Sequence, residues 1–350
     1  MKRLVVTLLL IVLATTAWAQ DTTSIGEYEE GFQNFVDEFS NSLPMNSTIG
    51  LNWSDAYIGQ LLRVPPNVGF GVTAGVTTVP YRAFEGLFDD LGIDVPGEIS
   101  DFDAVGVPFP AYAIDARVGG VVLPFDVGLK FGTLPGGVDF GDTNVEYTLF
   151  GADVRYAIIE QGIALRPDVS IGVGYNRLNG AVSVPTGIGQ IQIADVPDPN
   201  NLGSTTQLAL DEPNLEFDWG ANVFDFRAQA SKKILFVEPT IGIGAAIGVA
   251  DSAAQLSSDL LLDEDGSGNF EEISDAQLEQ IKQAAAAAGI TLPDEFDKES
   301  LGVSSNVNTF AFRIFGGTSF NILLLRLDLG LMYNITSGSV GGSLGARIQL

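Results

Sequence analysis

Apolar and polar residues alternate with a period of two through most of this chain. Residues 323–333 show the pattern plainly: Leu325, Leu327, Leu329, Leu331 and Tyr333 fall on one side, and Arg326, Asp328 and Gly330 on the other. Strand side chains point alternately to opposite faces, so each such run predicts a strand with one oily and one polar face. Ten runs are counted, at roughly 67–79, 111–120, 124–133, 144–158, 166–184, 214–230, 234–250, 305–317, 321–334 and 341–350. Several run well past ten residues, whereas strands of soluble sheets average about five or six.

The links between these runs alternate in length. Those around 121–123, 159–165, 231–233 and 318–320 are short, and those at 81–110, 185–213 and 251–304 are long. An even number of antiparallel strands with tight links at one end and long ones at the other is the pattern of a transmembrane barrel, which has short periplasmic turns and longer external loops. The expected fold is therefore all-β, an antiparallel transmembrane β-barrel of about ten strands. The count becomes twelve if Thr48–Trp53 and part of 187–210 join the wall, and roughly 10–14 bounds it. Trp219, Phe217, Tyr333, Tyr156 and Phe150 are read as lying on apolar faces near strand ends, where aromatic girdles form.

The ends of the chain agree with export. Lys2 and Arg3 precede an apolar stretch, Leu4 to Ala14, that is too short to span a bilayer, and Ala17-Trp18-Ala19 fits the small-x-small cleavage rule. Residues 1–19 are expected to be a signal peptide. No run of about twenty apolar residues follows, yet 46% of the chain is hydrophobic. Strands that give half their side chains to lipid reconcile the two observations. The expected location is the bacterial outer membrane, with its lipid and the barrel-assembly machinery as partners.

Composition narrows the chemistry. Without Lys2 and Arg3, 15 of the 17 basic residues remain against 44 acidic ones, so nucleic acid is a poor partner. There is no histidine and no cysteine. Ser-His-Asp and Cys-His catalysis and structural zinc are thereby removed, and an enzyme is not expected.

Residues 24–43 carry Ile25, Tyr28, Phe32, Phe35, Val36, Phe39 and Leu43 at helical spacing. They predict an amphipathic helix, and residues 20–66 are read as a plug or periplasmic segment ahead of the barrel at 67–350. Strand parity then assigns the charges. Where Phe125, Val127, Leu129 and Phe131 face lipid, Asp126 and Lys130 face the lumen. The same rule turns Asp115 and Arg117, Asp153 and Arg155, Asp225 and Arg227, and Arg326 and Asp328 inward, because an Arg or Lys facing lipid near midplane costs about 2–4 kcal/mol. These ten residues are the candidate lumen lining. They either fill a narrow lumen as ion pairs or line a gated conduit, since eight-stranded barrels are filled and open pores need about sixteen strands.

Three resemblances add to this reading. The final alternation of Leu344, Ala346, Ile348 and Leu350 resembles the C-terminal strand by which outer-membrane barrels are recognised for assembly, with Leu350 where that pattern usually has an aromatic residue. Residues 45–59, with the strand that follows, resemble uncharacterised outer-membrane proteins of spirochaetes. A weaker likeness, to long-chain fatty-acid transporter barrels, rests on the N-terminal plug, without their Asn-Pro-Ala motif.

The external insert 251–304 has its own signal. Residues 263–274 resemble an EF-hand calcium loop. The resemblance implies Asp263, Asp265, Ser267, Asn269 and Glu271 as calcium ligands, with Gly268 at the turn. Ser274 stands where the family has a bidentate Glu, so the implied affinity is weak, about 10⁻⁴–10⁻³ M. Flanking helices are expected at Ala253–Leu262 and, capped by Ser274 and Gln277, at Asp275–Ala288. The functional expectation is passage of small, in particular hydrophobic, molecules through an outer-membrane barrel. The alternative is a surface-structural or adhesive protein with a filled, non-conducting lumen.

Overall fold

The computed structural model describes residues 25–350 apart from 63–65, 91–94, 96, 141–142, 161–165, 186–190, 198–204, 211–213, 258–259, 264–270, 275–276, 281 and 284–300. Ten antiparallel strands close into a barrel. They are β1 (Val68–Val79), β2 (Val107–Gly119), β3 (Phe125–Phe140), β4 (Thr143–Ile159), β5 (Asp168–Pro185), β8 (Asn214–Ser231), β9 (Val237–Ser257), β12 (Leu301–Ile322), β13 (Leu325–Asn334) and β14 (Val340–Gln349). Each pairs with its neighbour in sequence order, and β1 closes on β14. The long links supply four more strands, β6 (Ile191–Pro197), β7 (Thr205–Leu210), β10 (Leu260–Asp263) and β11 (Glu271–Glu272). These form a second sheet in the order β11-β10-β7-β6.

The outer surface carries the predicted oily face. Phe70, Val72, Ile114, Leu129, Phe131, Val173, Phe224, Phe226, Ile243, Phe310, Leu329 and Leu344 are exposed around the circumference. They point away from the packed lumen, so hydrocarbon is their solvent. Tilted strands of about 9–11 residues cross a bilayer. β3 to β12 in the wall are much longer, up to 22 residues, and rise beyond the membrane on the loop side. β13 and β14, with 10 residues each, leave that rim low.

An N-terminal helix, α1 (Ile25–Asn46), sits at the loop end. It packs on β12, β9 and β8, and on α2 (Tyr81–Asp90) of the first long link, which is followed by α3 (Gly97–Ser100). From α1 the chain descends through the lumen and reaches β1 at the turn end. A hydrogen bond from the Leu61 amide to the Gly120 carbonyl marks its exit.

Two expectations about the links are corrected. The described residues of Ala253–Leu262 are strand, not helix: β9 continues to Ser257, paired with both β8 and β12, and β10 begins at Leu260. Ladder pairing on two sides outweighs the helix propensity of its alanines and leucines. Thr48–Trp53 is not a wall strand, and 191–210 forms its strands in the separate sheet. The predicted cap at Ser274 is present, with the Gln277 amide donating to Ser274 Oγ and the Ser274 amide donating to Gln277 Oε1. Residues 277–280 are helical. The signal peptide lies outside the described residues.

Candidate functional site: the lumen

The lumen has two zones. In the loop-side half the inner wall is largely apolar, with Thr77 and Ser252 among its polar exceptions. Leu149 and Tyr147 from β4, Leu178 and Val182 from β5, and Phe217, Trp219, Ala221 and Val223 from β8 are all buried there. Phe217 and Trp219 were expected outside, in a girdle. They share the parity of Asp225 and Arg227, not of Phe224 and Phe226, and so they point inward at 6% and 7% exposure. Tyr333, Tyr156 and Phe150 do face outward.

The apolar stripe of α1 fills this half. The Phe39 ring lies 4.7 Å from Phe217 and 6.0 Å from Trp219, both edge-on, and Phe35 meets Phe84 of α2 at 5.1 Å. Edge-to-face contacts suit the aromatic quadrupole. Val36 and Leu43 are wholly buried beside them. A few polar bonds fix the register: Ser40 Oγ lies 2.7 Å from Ser252 Oγ, and Asn46 Nδ2 donates to Thr77 Oγ1 and the Phe109 carbonyl.

Below α1 the segment from Ser47 to Gln60 has no regular structure and is held by the wall. Lys130 donates to the carbonyls of Ser47 (2.6 Å) and Ile49 (2.7 Å), capping a turn at Gly50. Gly50 has a left-handed backbone (φ +84°), and a β-carbon there would meet Lys130 and Ala113 at about 3 Å. The inner wall is cut back with glycine where the segment passes. A β-carbon on Gly69 would stand 2.6 Å from the Trp53 ring, one on Gly75 2.8 Å from Ile49, and one on Gly128 2.7 Å from Leu51.

The turn-side half is charged. All ten predicted lumen residues project into the barrel, and eight of them lie buried in one layer; Arg227 and Arg326 are half-buried, with 7% and 17% of their side chains exposed. The sequence neighbours do not pair with each other; the pairs run between strands. Arg155 binds Asp126 through Nε (2.8 Å) and Nη2 (2.9 Å), and Arg117 reaches both Asp126 and Asp153 (2.8 Å). Arg227 also contacts Asp153. Asp115 instead accepts from Trp53 Nε1 (2.9 Å) and Thr73 Oγ1 (2.7 Å).

Four further charges belong to this layer. Arg313 binds Asp225 at 2.7 Å, Arg347 binds Asp328 at 2.9 Å, and Glu238 faces Arg326 at 3.4 Å. The signal for Arg313 and Arg347 was the same alternation, between Phe312 and Ile314 and between Ala346 and Ile348. The fourth, Asp55, comes from the lumenal segment, where no period exists to reveal it. Its carboxylate takes Arg347 at 2.9 Å, Arg326 at 3.1 Å and Arg155 at 3.9 Å. Arg347 also lies over the Trp53 ring, 4.3 Å from its centroid.

Among the described residues the wall thus contributes to this layer Arg117, Lys130, Arg155, Arg227, Arg313, Arg326 and Arg347 as basic groups and Asp115, Asp126, Asp153, Asp225, Glu238 and Asp328 as acidic ones, and Asp55 joins them from the lumenal segment. A cavity of about 20 Å³ remains beside Trp53 and Arg313, room for about one water. The calcium-loop ligands Asp263, Asp265, Ser267, Asn269 and Glu271 lie outside the residues whose side chains are described. Among the described residues no group of three or more carboxylates is gathered around a metal-sized space.

A closed barrel with an apolar outer belt and a polar layer inside is a transmembrane barrel of the outer-membrane type. The protein is an outer-membrane β-barrel with its own N-terminal segment in the lumen. No family model and no curated protein matches the chain. It is similar to the translocator domain of the autotransporter NalP from Neisseria meningitidis, at 9% identity over 81% of this chain and 88% of that one, with a TM-score of 0.29. It is also similar to the toluene transporter TbuX from Ralstonia pickettii (10% identity, 89% and 93% covered, TM-score 0.25). A major outer membrane protein from Thermus thermophilus is similar at 12% identity (81% and 99% covered, TM-score 0.26). At these TM-scores the assignment of fold rests on this chain's own strand pairing.

Proposed function

We propose that the barrel is a gated passage for small molecules with an apolar body, closed in this state by residues 25–60. One observation carries the reading: the wall does not fill its own lumen. Its inner face is cut back to glycine at Gly69, Gly75, Gly119 and Gly128, and a separate stretch of chain occupies the space so left. Small structural barrels are filled by wall side chains instead. The apolar upper wall suits an apolar solute, with Phe35, Phe39 and Leu43 standing where its body would sit.

The chain has no cysteine, so a disulfide can lock the plug cleanly. Ser40→Cys with Ser252→Cys joins α1 to β9 at a 2.7 Å contact. In liposomes, uptake of small aromatic solutes is expected from the reduced protein and not from the oxidised one. No uptake in either state would remove this reading. It would leave the second one, a closed barrel that holds its external sheet and acidic loops at the surface, which the matched cations and anions of the lumen favour.

A further inference from the structure

The three guanidiniums that converge on Asp55 belong to β4, β13 and β14, whereas Asp55 belongs to the plug. Each arginine keeps a wall partner when Asp55 is discounted: Arg155 has Asp126, Arg326 has Glu238 and Arg347 has Asp328. Without Asp55 the three guanidiniums share no carboxylate, and the point on which they converge is left without its negative charge. This describes a site for a single negative charge. Planar guanidiniums aimed at one point suit a carboxylate, which can accept from each of its oxygens.

What lies above the charge is equally specific. Reading down the segment, Ile49, Leu51 and Trp53 are buried and Asp55 follows. Asp55 is the charge beneath this apolar run, and buried Ala56, Tyr57 and Ile58 continue the segment below it. Arg347 joins the two features, binding the carboxylate and stacking on the indole. Gly69 gives the ring its space on the wall side.

We infer that Arg155, Arg326 and Arg347 form the lumenal binding site for an aromatic monocarboxylate, and that Trp53 and Asp55 occupy it as an internal stand-in for that ligand. This rests on the gated-passage reading and names its solute class. The plug is then autoinhibitory: solute and plug compete for the same guanidiniums, so the passage opens to molecules that reproduce both ring and charge.

The test uses the full chain refolded in liposomes, with Trp53→Gly and Asp55→Gly together vacating the site. Titration with indole-3-acetate is expected to show binding at least about tenfold tighter than with the uncharged indole-3-ethanol, a difference of about 1.4 kcal/mol. Adding Arg347→Gln should reduce the acid to the level of the alcohol. Equal affinity for acid and alcohol, or no binding by a correctly folded variant, overturns the inference. Should the double variant not fold, Asp55→Gly alone is read with acetate as probe. Acetate should restore the lost thermal stability where chloride at equal ionic strength does not, and no acetate-specific recovery also overturns it. In the unmodified protein, indole-3-acetate should raise bilayer conductance and indole-3-ethanol should not; a conductance equally indifferent to both counts against the site. Uptake of neutral aromatics through the reduced cysteine variant without carboxylate binding would remove the ligand class and leave the passage. Carboxylate binding without any uptake would remove the passage.

Discussion

At the loop end of the lumen, Phe39 sits edge-on against Phe217 and Trp219; near the turn end, Asp55 sits among Arg155, Arg326 and Arg347. One continuous stretch of chain makes both contacts, but the physics differs. Apolar contacts add roughly in proportion to area and tolerate small displacements. Buried ion pairs are stabilising only while every partner is present, since removing one leaves a charge away from water. The upper half can therefore loosen by degrees, whereas the lower half is held or released as a unit. A plug built this way can breathe at the mouth while remaining shut at the foot.

The largest effect should come from the charged half. Asp126→Ala strips Arg117 and Arg155 of their shared carboxylate and is expected to cost about 3–5 kcal/mol. Urea unfolding of the refolded protein measures it, and a loss as small as that of a surface pair would mean that water reaches this layer. Phe39→Ala should cost about 3 kcal/mol, at the lower end for a buried Phe because α1 can settle into the gap. It should also expose α1 to protease without opening the lower lumen. Concerted release of both halves would erase the distinction between them.

The outer face provides a control that touches neither half. Leu327→Arg should impair folding by about 2–4 kcal/mol by placing a guanidinium against hydrocarbon, whereas Gly330→Ser, facing the lumen, should be mild. Heat-modifiable gel mobility reports both, and equal tolerance would reverse the assignment of inside and outside. The smallest change, Ser40→Ala, removes the bond to Ser252 and is expected to cost about 1 kcal/mol. Double-mutant cycles sharpen the contrast further. Coupling between Asp126 and Arg155 should exceed that between Phe39 and Phe217, which is expected near 0.5–1.5 kcal/mol.

The wall was legible in the sequence because lipid imposes a strict rule on it. A charge cannot face hydrocarbon cheaply, so Asp126 between Phe125 and Val127 could only point inward. The same rule was available for Arg313, Arg347 and Glu238, which stand alone rather than in acid–base pairs two residues apart. Phe217 and Trp219 misled because an aromatic residue is at home on either face; only counting parity from Asp225 places them. The lower plug was legible as a segment ahead of the barrel but not in its contacts. Thr48–Trp53 alternates briefly like a strand, yet the backbone bonds of Ser47 to Gln60 go to wall side chains such as Lys130 and Asp126 instead of a ladder. The role of Asp55 exists only through residues about 100, 271 and 292 positions away.

The route of the chain constrains how the molecule can be made. The lumenal segment runs from the loop mouth to the turn end and leads directly into β1, which is joined to β14 from Gly69↔Gln349 to Thr77↔Gly341. A hoop closed beforehand would have to be threaded by α1 and everything ahead of it. Winding the wall around a strand of chain already in place avoids that, with the β1–β14 seam zipped last. Arg347 and Arg326 arrive with the final two strands, so Asp55 gains them only as the seam forms. Closure and correct seating of the thread are then a single event, and a barrel assembled around an empty centre would lack the charge that lets its last strands settle.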